Sequence, residues 1–176
     1  ATLDEMQEMV DSTLAYARGV STDQPMEACD LALLVGELAD ELSETGPQIV
    51  VMSSEPVRAE IRRLAIRRAL RNLMENAQRY GRGARVSVTR GNGCAEIVID
   101  DDGPGIPEQE LGHVFDPFTR LETSRSHETG GIGLGLPIAR AILCAHGGDV
   151  VLSNRAEGGF RARVHLPLVQ GQASES

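Results

Sequence analysis

The sequence predicts an α+β domain, a two-layer sandwich in which helices cover one face of a mostly antiparallel sheet, with one short helix in front of it. Two observations carry that prediction. Stretches with apolar residues at three- and four-residue spacing are interleaved with short stretches that alternate, which is the pattern of helices packed on a half-buried sheet. The alternating stretches also come in pairs closed by glycine turns, which makes hairpins and therefore antiparallel neighbours.

Leu3, Met6, Val10, Leu14 and Ala17 form one stripe against Asp4, Glu5, Gln7, Glu8 and Asp11, so residues 1–18 read as an amphipathic helix that needs a partner surface. Gly19 and the run Ser21-Thr22-Asp23-Gln24-Pro25 break the period, giving a linker over 19–25 and a main domain over 26–168. A short strand at 26–29 leads into a helix capped by Asp30, with Leu31, Leu34, Val35 and Leu38 inward and Gly46-Pro47 as its stop. Residues 49–52 read as a strand. A long helix over 61–80 should turn Ile61, Leu64, Ala65, Leu70 and Leu73 inward and present a strongly basic opposite face. A hairpin follows over 85–90 and 95–100, turning at Gly91-Asn92-Gly93. A helix at 134–145 and a closing hairpin of 150–153 with 160–166 complete the domain, and 169–176 has the composition of a disordered tail.

Composition narrows the function. With 17 Lys and Arg against 26 Asp and Glu the net charge is -9, which argues against a nucleic-acid partner. Three widely spaced cysteines suggest neither a disulfide framework nor a zinc site. No apolar run approaches the roughly 20 residues that span a bilayer. The chain begins at Ala1, already within helical periodicity, which reads as a piece excised from a longer protein.

Four segments stand out. Asn72 and Asn76 lie at i and i+4 on one helical face that Tyr80 shares, an odd place for asparagine, whose amide competes for backbone hydrogen bonds. The run Asp100-Asp101-Asp102-Gly103-Pro104-Gly105-Ile106 follows a strand, where glycines let backbone approach a ligand and an Asp can accept a hydrogen bond from an amino group. The spacing of a calcium loop is absent. Phe115-Asp116-Pro117-Phe118-Thr119-Arg120 holds two of the three phenylalanines and opens a long polar loop of the kind that forms lids. Gly130 through Gly135 opens a helix with bare N–H groups and a positive dipole end, which suits phosphate; no preceding strand makes it a Rossmann turn and no Gly-Lys-Ser/Thr makes it a Walker loop. Taken singly, the first three have plain structural readings as solvated amides, a surface turn and a hydrophobic anchor, and a glycine loop alone is weak evidence.

In order, these segments resemble the N-box, first glycine box, phenylalanine box and second glycine box of the ATP-binding domains of sensor histidine kinases, most nearly the osmosensor EnvZ-like group. The resemblance covers about residues 26–167 and implies the Bergerat fold shared with gyrase, Hsp90 and MutL, helices on a mixed sheet. It implies ATP and Mg²⁺ as cofactors. Asn76 is expected to hold the Mg²⁺, Asn72 and Arg79 to lie near phosphate oxygens, and Tyr80 to pack beside the adenine. Asp101 is expected to accept the adenine amino group, with Gly103, Gly105 and Ile106 shaping that pocket. Arg120 would reach the γ-phosphate, and Gly131, Ile132, Gly133, Leu134, Gly135 and Leu136 would cradle the phosphates. Many relatives have Thr where Ile132 stands here, so one hydroxyl contact is missing. Asn72, Asn76 and Arg120 are the catalytic set. Where hydrolysing relatives carry a glutamate that activates water, this chain has Asn72, whose amide cannot take the proton.

The resemblance also implies partners: a dimerisation hairpin whose second helix would end in 1–18, a response regulator, and a homodimeric full-length protein with this domain on the cytoplasmic side of the inner membrane. The phosphoacceptor histidine of that hairpin is expected outside this sequence. His127-Glu128-Thr129 imitates its motif but runs into Gly130-Gly131 and belongs to no amphipathic helix, while His113, His146 and His165 have no neighbouring motif. Two other functions on the same fold remain open on sequence grounds, a non-catalytic docking or phosphatase-control module and an anti-sigma-type serine kinase.

Overall fold

The computed structural model describes residues 24–116 and 135–168, together with positions 2–4, 6, 7, 10, 13 and 14. In chain order the elements are β1 (Glu27–Asp30), α1 (Leu31–Thr45), β2 (Ile49–Ser54), β3 (Arg58–Ile61), α2 (Arg63–Gly81), β4 (Ala84–Arg90), β5 (Cys94–Asp101), α3 (Glu108–Leu111), α4 (Gly135–Ala145), β6 (Asp149–Asn154) and β7 (Phe160–Pro167).

Five strands form the main sheet in the order β2-β4-β5-β7-β6. Its two hairpins and the β5–β7 pairing are antiparallel, and β2 joins β4 in parallel, so the sheet is mixed. β1 and β3 pair separately as a small antiparallel ribbon. Alternation along β4, β5 and β7 sends Val86, Val88, Ala95, Ile97, Ile99, Ala162, Val164 and Leu166 to one face, all of them buried. Helix residues Leu34, Leu38, Ile66, Leu70, Met74, Ile142 and Leu143 join them in one continuous core. Full burial of each larger side chain contributes about 1.5–3 kcal/mol.

The expected cap is present: the Asp30 carboxylate accepts from the Ala32 N–H at 2.9 Å. A long-range contact, the Val57 N–H to the same oxygen at 3.4 Å, ties β1 to the segment before β3.

Two details of the long helix differ from the sequence reading. Ile61 is buried, but as the last residue of the unanticipated strand β3, and the helix begins at Arg63. Leu64, expected inward, is 63% exposed in the first turn, because the buried stripe runs through Ile66, Ala69, Leu70, Leu73, Met74 and Ala77. The basic face is present and is matched by acids rather than left open. Arg63 pairs with Glu37 and Arg71 with Glu41 across the α1–α2 contact, Arg67 also pairs with Glu41, and Arg71 reaches Glu75 one turn on. Exposed pairs of this kind contribute up to about 1 kcal/mol each and mainly set how the two helices align.

Among the described N-terminal positions, Leu3, Met6, Val10 and Leu14 are all helical and all exposed. No helix among the described residues is long and apolar enough to cross a membrane.

Candidate functional site

The site is assembled where the C-terminal half of α2 runs beside the end of β5 and the start of α4. Helical spacing places Asn72, Asn76 and Tyr80 in one line, while Leu70, Leu73 and Ala77 on the adjoining flank of α2 anchor the helix in the core. All three polar residues are half-buried. The Asn72 Nδ2 donates to the Gly135 carbonyl at 3.2 Å, which brings the asparagine face against the end of the glycine-rich segment. α4 holds that end in place with Pro137, Ile138, Ala139, Ile142 and Leu143 buried, and Leu136 half-buried beside them. Pro137 stands in the first turn, where a missing N–H costs nothing. Asn76 makes no hydrogen bond to any described residue. A half-buried amide oxygen without a donor among the described residues is what a hard cation such as Mg²⁺ takes as one ligand, so this position fits the metal. Glu75 points away from that line, its carboxylate accepting from Arg71 at 2.9 Å.

Three consecutive aspartates have three different fates, and strand alternation is the reason. Asp100 and Asp102 lie on the face away from the helices. Asp100 receives a bidentate Arg161 at 2.6 and 2.8 Å, which holds its carboxyl below the usual range. Asp102 receives a bidentate Arg85 at 2.6 and 2.9 Å with Arg155 adding a third contact at 3.1 Å, and its pKa falls to about 2. Asp101 faces inward at 4% exposure, the only buried charged side chain among the described residues. Its Oδ1 accepts from the Gly103 N–H at 2.8 Å. Burial pushes its pKa up, against the lowering pull of the Gly103 and Phe160 N–H groups. A buried acid with backbone N–H partners and no ion pair is a candidate functional residue.

The glycines around Asp101 make room within the protein. A Cβ on Gly103 would come within 2.5 Å of the Tyr80 carbonyl, so the loop passes tightly under the end of α2. A Cβ on Gly81 would come within 2.3 Å of the Asp101 Cβ, so this glycine lets the carboxylate tuck under the helix. Sequence reasoning expected the glycines of the first glycine box to serve a ligand and missed Gly81 altogether. Ile106 is buried and forms, with Val114 and Phe160, a second small apolar cluster that Leu111, Phe115, Leu136 and Leu152 flank. Phe115 thereby bridges both clusters, and the Arg140 guanidinium lies 4.8 Å above its ring.

Of the expected site residues, Asn72, Asn76, Tyr80, Asp101, Gly103, Gly105, Ile106, Gly135 and Leu136 fall in this region, and Arg79 is exposed on the turn of α2 between Asn76 and Tyr80. Arg120, Gly131, Ile132, Gly133 and Leu134 lie outside the described residues, as does His127. The remaining histidines are otherwise engaged. His146 accepts from the Arg62 N–H at 3.1 Å and donates to the Ile142 carbonyl at 2.8 Å. His113 contacts Asp116, and His165 lies near Glu96.

Sequence comparison finds the sensor histidine kinase GtrS of Pseudomonas aeruginosa 39% identical over 166 residues, covering 94% of this chain and 34% of that protein. This chain thus spans about a third of that relative's length. Among solved structures, the histidine kinase domain of the E. coli osmosensor EnvZ superposes with a TM-score of 0.67 at 32% identity, over 89% of this chain and 97% of that one. The ATP-binding domain of PrrB from Mycobacterium tuberculosis gives 0.68 at 26%, over 84% and 100%. The family model for histidine kinase-, DNA gyrase B- and HSP90-like ATPases matches residues 61–170, the stretch from the end of β3 through β7 that carries every site element above, and the chain belongs to that family.

Proposed function

We propose that this chain is the ATP-binding catalytic domain of a two-component sensor histidine kinase, which holds Mg-ATP and donates its γ-phosphoryl group to a histidine on a dimerisation hairpin, for relay to a response regulator. The observation that carries the reading is the buried, under-compensated Asp101 beside a helix line of Asn72, Asn76 and Tyr80. Asp101 accepts the exocyclic amino group of adenine, which guanine lacks at that position. Tyr80 and Ile106 flank the base, and Asn76 gives its side-chain oxygen to Mg²⁺. The metal nucleotide supplies the phosphoryl group and the neutralisation of its charge. Arg79 and Arg120 add positive charge near the phosphates, with Gly131, Ile132, Gly133, Leu134, Gly135 and Leu136 as the phosphate loop.

Asn72 shapes the outcome. An amide hydrogen-bonded to the Gly135 carbonyl cannot act as general base on water, and Glu75 is bound to Arg71, so water attack has no proton acceptor on this helix face. In transfer, the imidazole nitrogen forms a bond to the γ-phosphorus as the bond to the β,γ-bridging oxygen breaks, and ADP leaves. The exposed apolar stripe Leu3, Met6, Val10 and Leu14 supports residues 1–18 as the end of a hairpin helix, 19–25 as linker and 26–168 as the catalytic domain of a cytoplasmic module in a membrane-anchored homodimer.

The test is to incubate the chain with γ-labelled ATP, Mg²⁺ and a hairpin supplied in trans. Acid-labile, base-stable label on the hairpin histidine is expected. No label, or label on a serine, refutes the proposal.

A further inference from the structure

The hairpin β6–β7 grips the loop after β5 at both of its ends. Asn154, the last residue of β6, uses both ends of its amide on a single residue of the loop after β5: its Oδ1 accepts from the Ile106 N–H at 2.8 Å and its Nδ2 donates to the Ile106 carbonyl at 2.7 Å. Such a two-point contact fixes both position and orientation of that peptide. Gly105 makes it feasible. Its φ is +73°, and a Cβ there would come within 2.5 Å of the Asn154 Oδ1 and 3.5 Å of the Gly159 carbonyl. This glycine is therefore required by Asn154, whatever a ligand demands.

The next residue works on the other end of the same loop. Arg155 is largely buried and donates to the Asp101 carbonyl at 3.2 Å, to Asp102 at 3.1 Å and to the Gly158 carbonyl at 3.3 Å. Gly159 packs against the same carbonyl so closely that a Cβ would lie 2.0 Å from it. Asn154 and Arg155 thus hold the loop at Ile106 and at Asp101, the two residues between which the base is expected to lie.

We infer that Asn154 is a positioning residue for adenine recognition: it holds the loop 102–106 so that the Asp101 carboxylate and the Ile106 side chain keep the spacing that the base requires. This rests on the reading of Asp101 as the adenine acceptor. Loss of the clamp should fall mainly on the adenine-specific part of binding, because Asn72 and Asn76 are held by α2 and, among the described residues, Leu136 alone of the expected phosphate residues packs against the Ile106 cluster.

The test uses Asn154→Ala, Asn154→Asp and, separately, Asp101→Ala. Asp preserves volume and the acceptor for the Ile106 N–H but sets a carboxylate oxygen against the Ile106 carbonyl. Affinities for Mg-ADP and Mg-GDP are measured by calorimetry, and the Ile106 amide is followed by hydrogen exchange. Asn154→Ala should lose Ile106 protection, Asn154→Asp should keep more of it through the remaining acceptor, and both should weaken Mg-ADP on the order of tenfold, the loss of one or two hydrogen bonds. Mg-GDP affinity should stay as it was, so that the preference for adenine collapses. Equal losses for both nucleotides, unchanged Mg-ADP affinity with an unprotected Ile106, or unfolding of both variants would overturn the proposal. Asp101→Ala reports on the underlying site: if it leaves Mg-ADP affinity unchanged, the adenine reading itself fails, whatever the Asn154 variants do.

Discussion

Gly81→Ala isolates the packing of α2 against Asp101, the contact on which the proposed adenine recognition depends. The new Cβ would lie 2.3 Å from the Asp101 Cβ and 2.5 Å from its carboxyl carbon. Carbon atoms in contact stand about 3.5–4.0 Å apart, so the end of α2 and the carboxylate must separate by more than about 1 Å. Overpacking of this order costs about 1–3 kcal/mol of stability. A shift of that size also breaks the hydrogen bond that the carboxylate would make to the base, a charge-assisted bond of about 1.5–3 kcal/mol, or roughly ten- to a hundredfold in affinity. The opposing term is small and of known sign: within a helix Ala is favoured over Gly by up to about 1 kcal/mol. The assay pairs thermal denaturation with Mg-ADP calorimetry for Gly81→Ala alone and in an Asp101→Gly background, where no side chain remains to collide. The single variant should melt lower and bind weakly, and the same change should be neutral or stabilising in the second background. A Gly81→Ala domain that melts at or above the parent and binds within twofold would refute the packing argument.

Asn76→Ala should abolish Mg²⁺-dependent ATP binding while leaving the melting temperature nearly unchanged, measured by calorimetry with and without the metal. Arg82, the residue after α2, sits in the left-handed region at φ +57°. Arg82→Gly should therefore raise stability by about 0.5–1 kcal/mol, read by urea denaturation. Asp101 has a raised pKa, so its protonated form is favoured in the folded state: its contribution to stability is full below the unfolded value of 3.8 and is lost as pH rises through the folded value. Asp101→Asn should accordingly raise the melting temperature of the nucleotide-free domain at pH 7 while weakening ATP binding. His146 runs the opposite way. Burial lowers its pKa from 6.5, so its contribution is present above pH 6.5 and fades as pH falls through the depressed folded value, and His146→Ala should flatten the melting-temperature profile in that window.

The sheet and the helices were readable because their apolar periods are long and clean. Val86, Val88, Ile97 and Ile99 alternate without a break, and Asp30 announces α1 with an ordinary cap. β3 escaped because it is a short ribbon, Arg58–Ile61, whose one partner is β1 and whose end abuts a helix that starts without a side-chain cap. The same missing cap explains Leu64: without a marked start, Ile61 and Leu64 fall on a plausible stripe, and only the packed structure shows that Ile66 and Ala69 face the core instead. Within the site, Asn72, Asn76 and Asp101 stood out as candidates, because asparagines inside a helix and an acid before a glycine turn are locally out of place. Gly81, Asn154 and Arg155 were not, since nothing in their own surroundings is unusual. Asn154 meets Ile106 across a separation of 48 residues, and Gly81 gains its meaning from the carboxylate lying against it.

The run Asp100-Asp101-Asp102 shows how one strand can separate structural work from functional work. Opposite-facing neighbours of a strand see different surroundings, so the two outer acids are neutralised by Arg161, Arg85 and Arg155 and contribute to joining β4, β5 and the β6–β7 hairpin. The middle acid is denied such a partner by the same geometry, because the arginines all lie on the other face. It is desolvated without an ion pair and is met only by backbone N–H groups, a cost that the proposed adenine amino group would offset through a hydrogen bond. Moving the acid by one position would hand it to the arginines and erase the site. The register of β5, with Asp101 opposite Phe160, is thus the structural choice on which the proposed adenine contact rests, while Asn154 holds the loop that follows at Ile106.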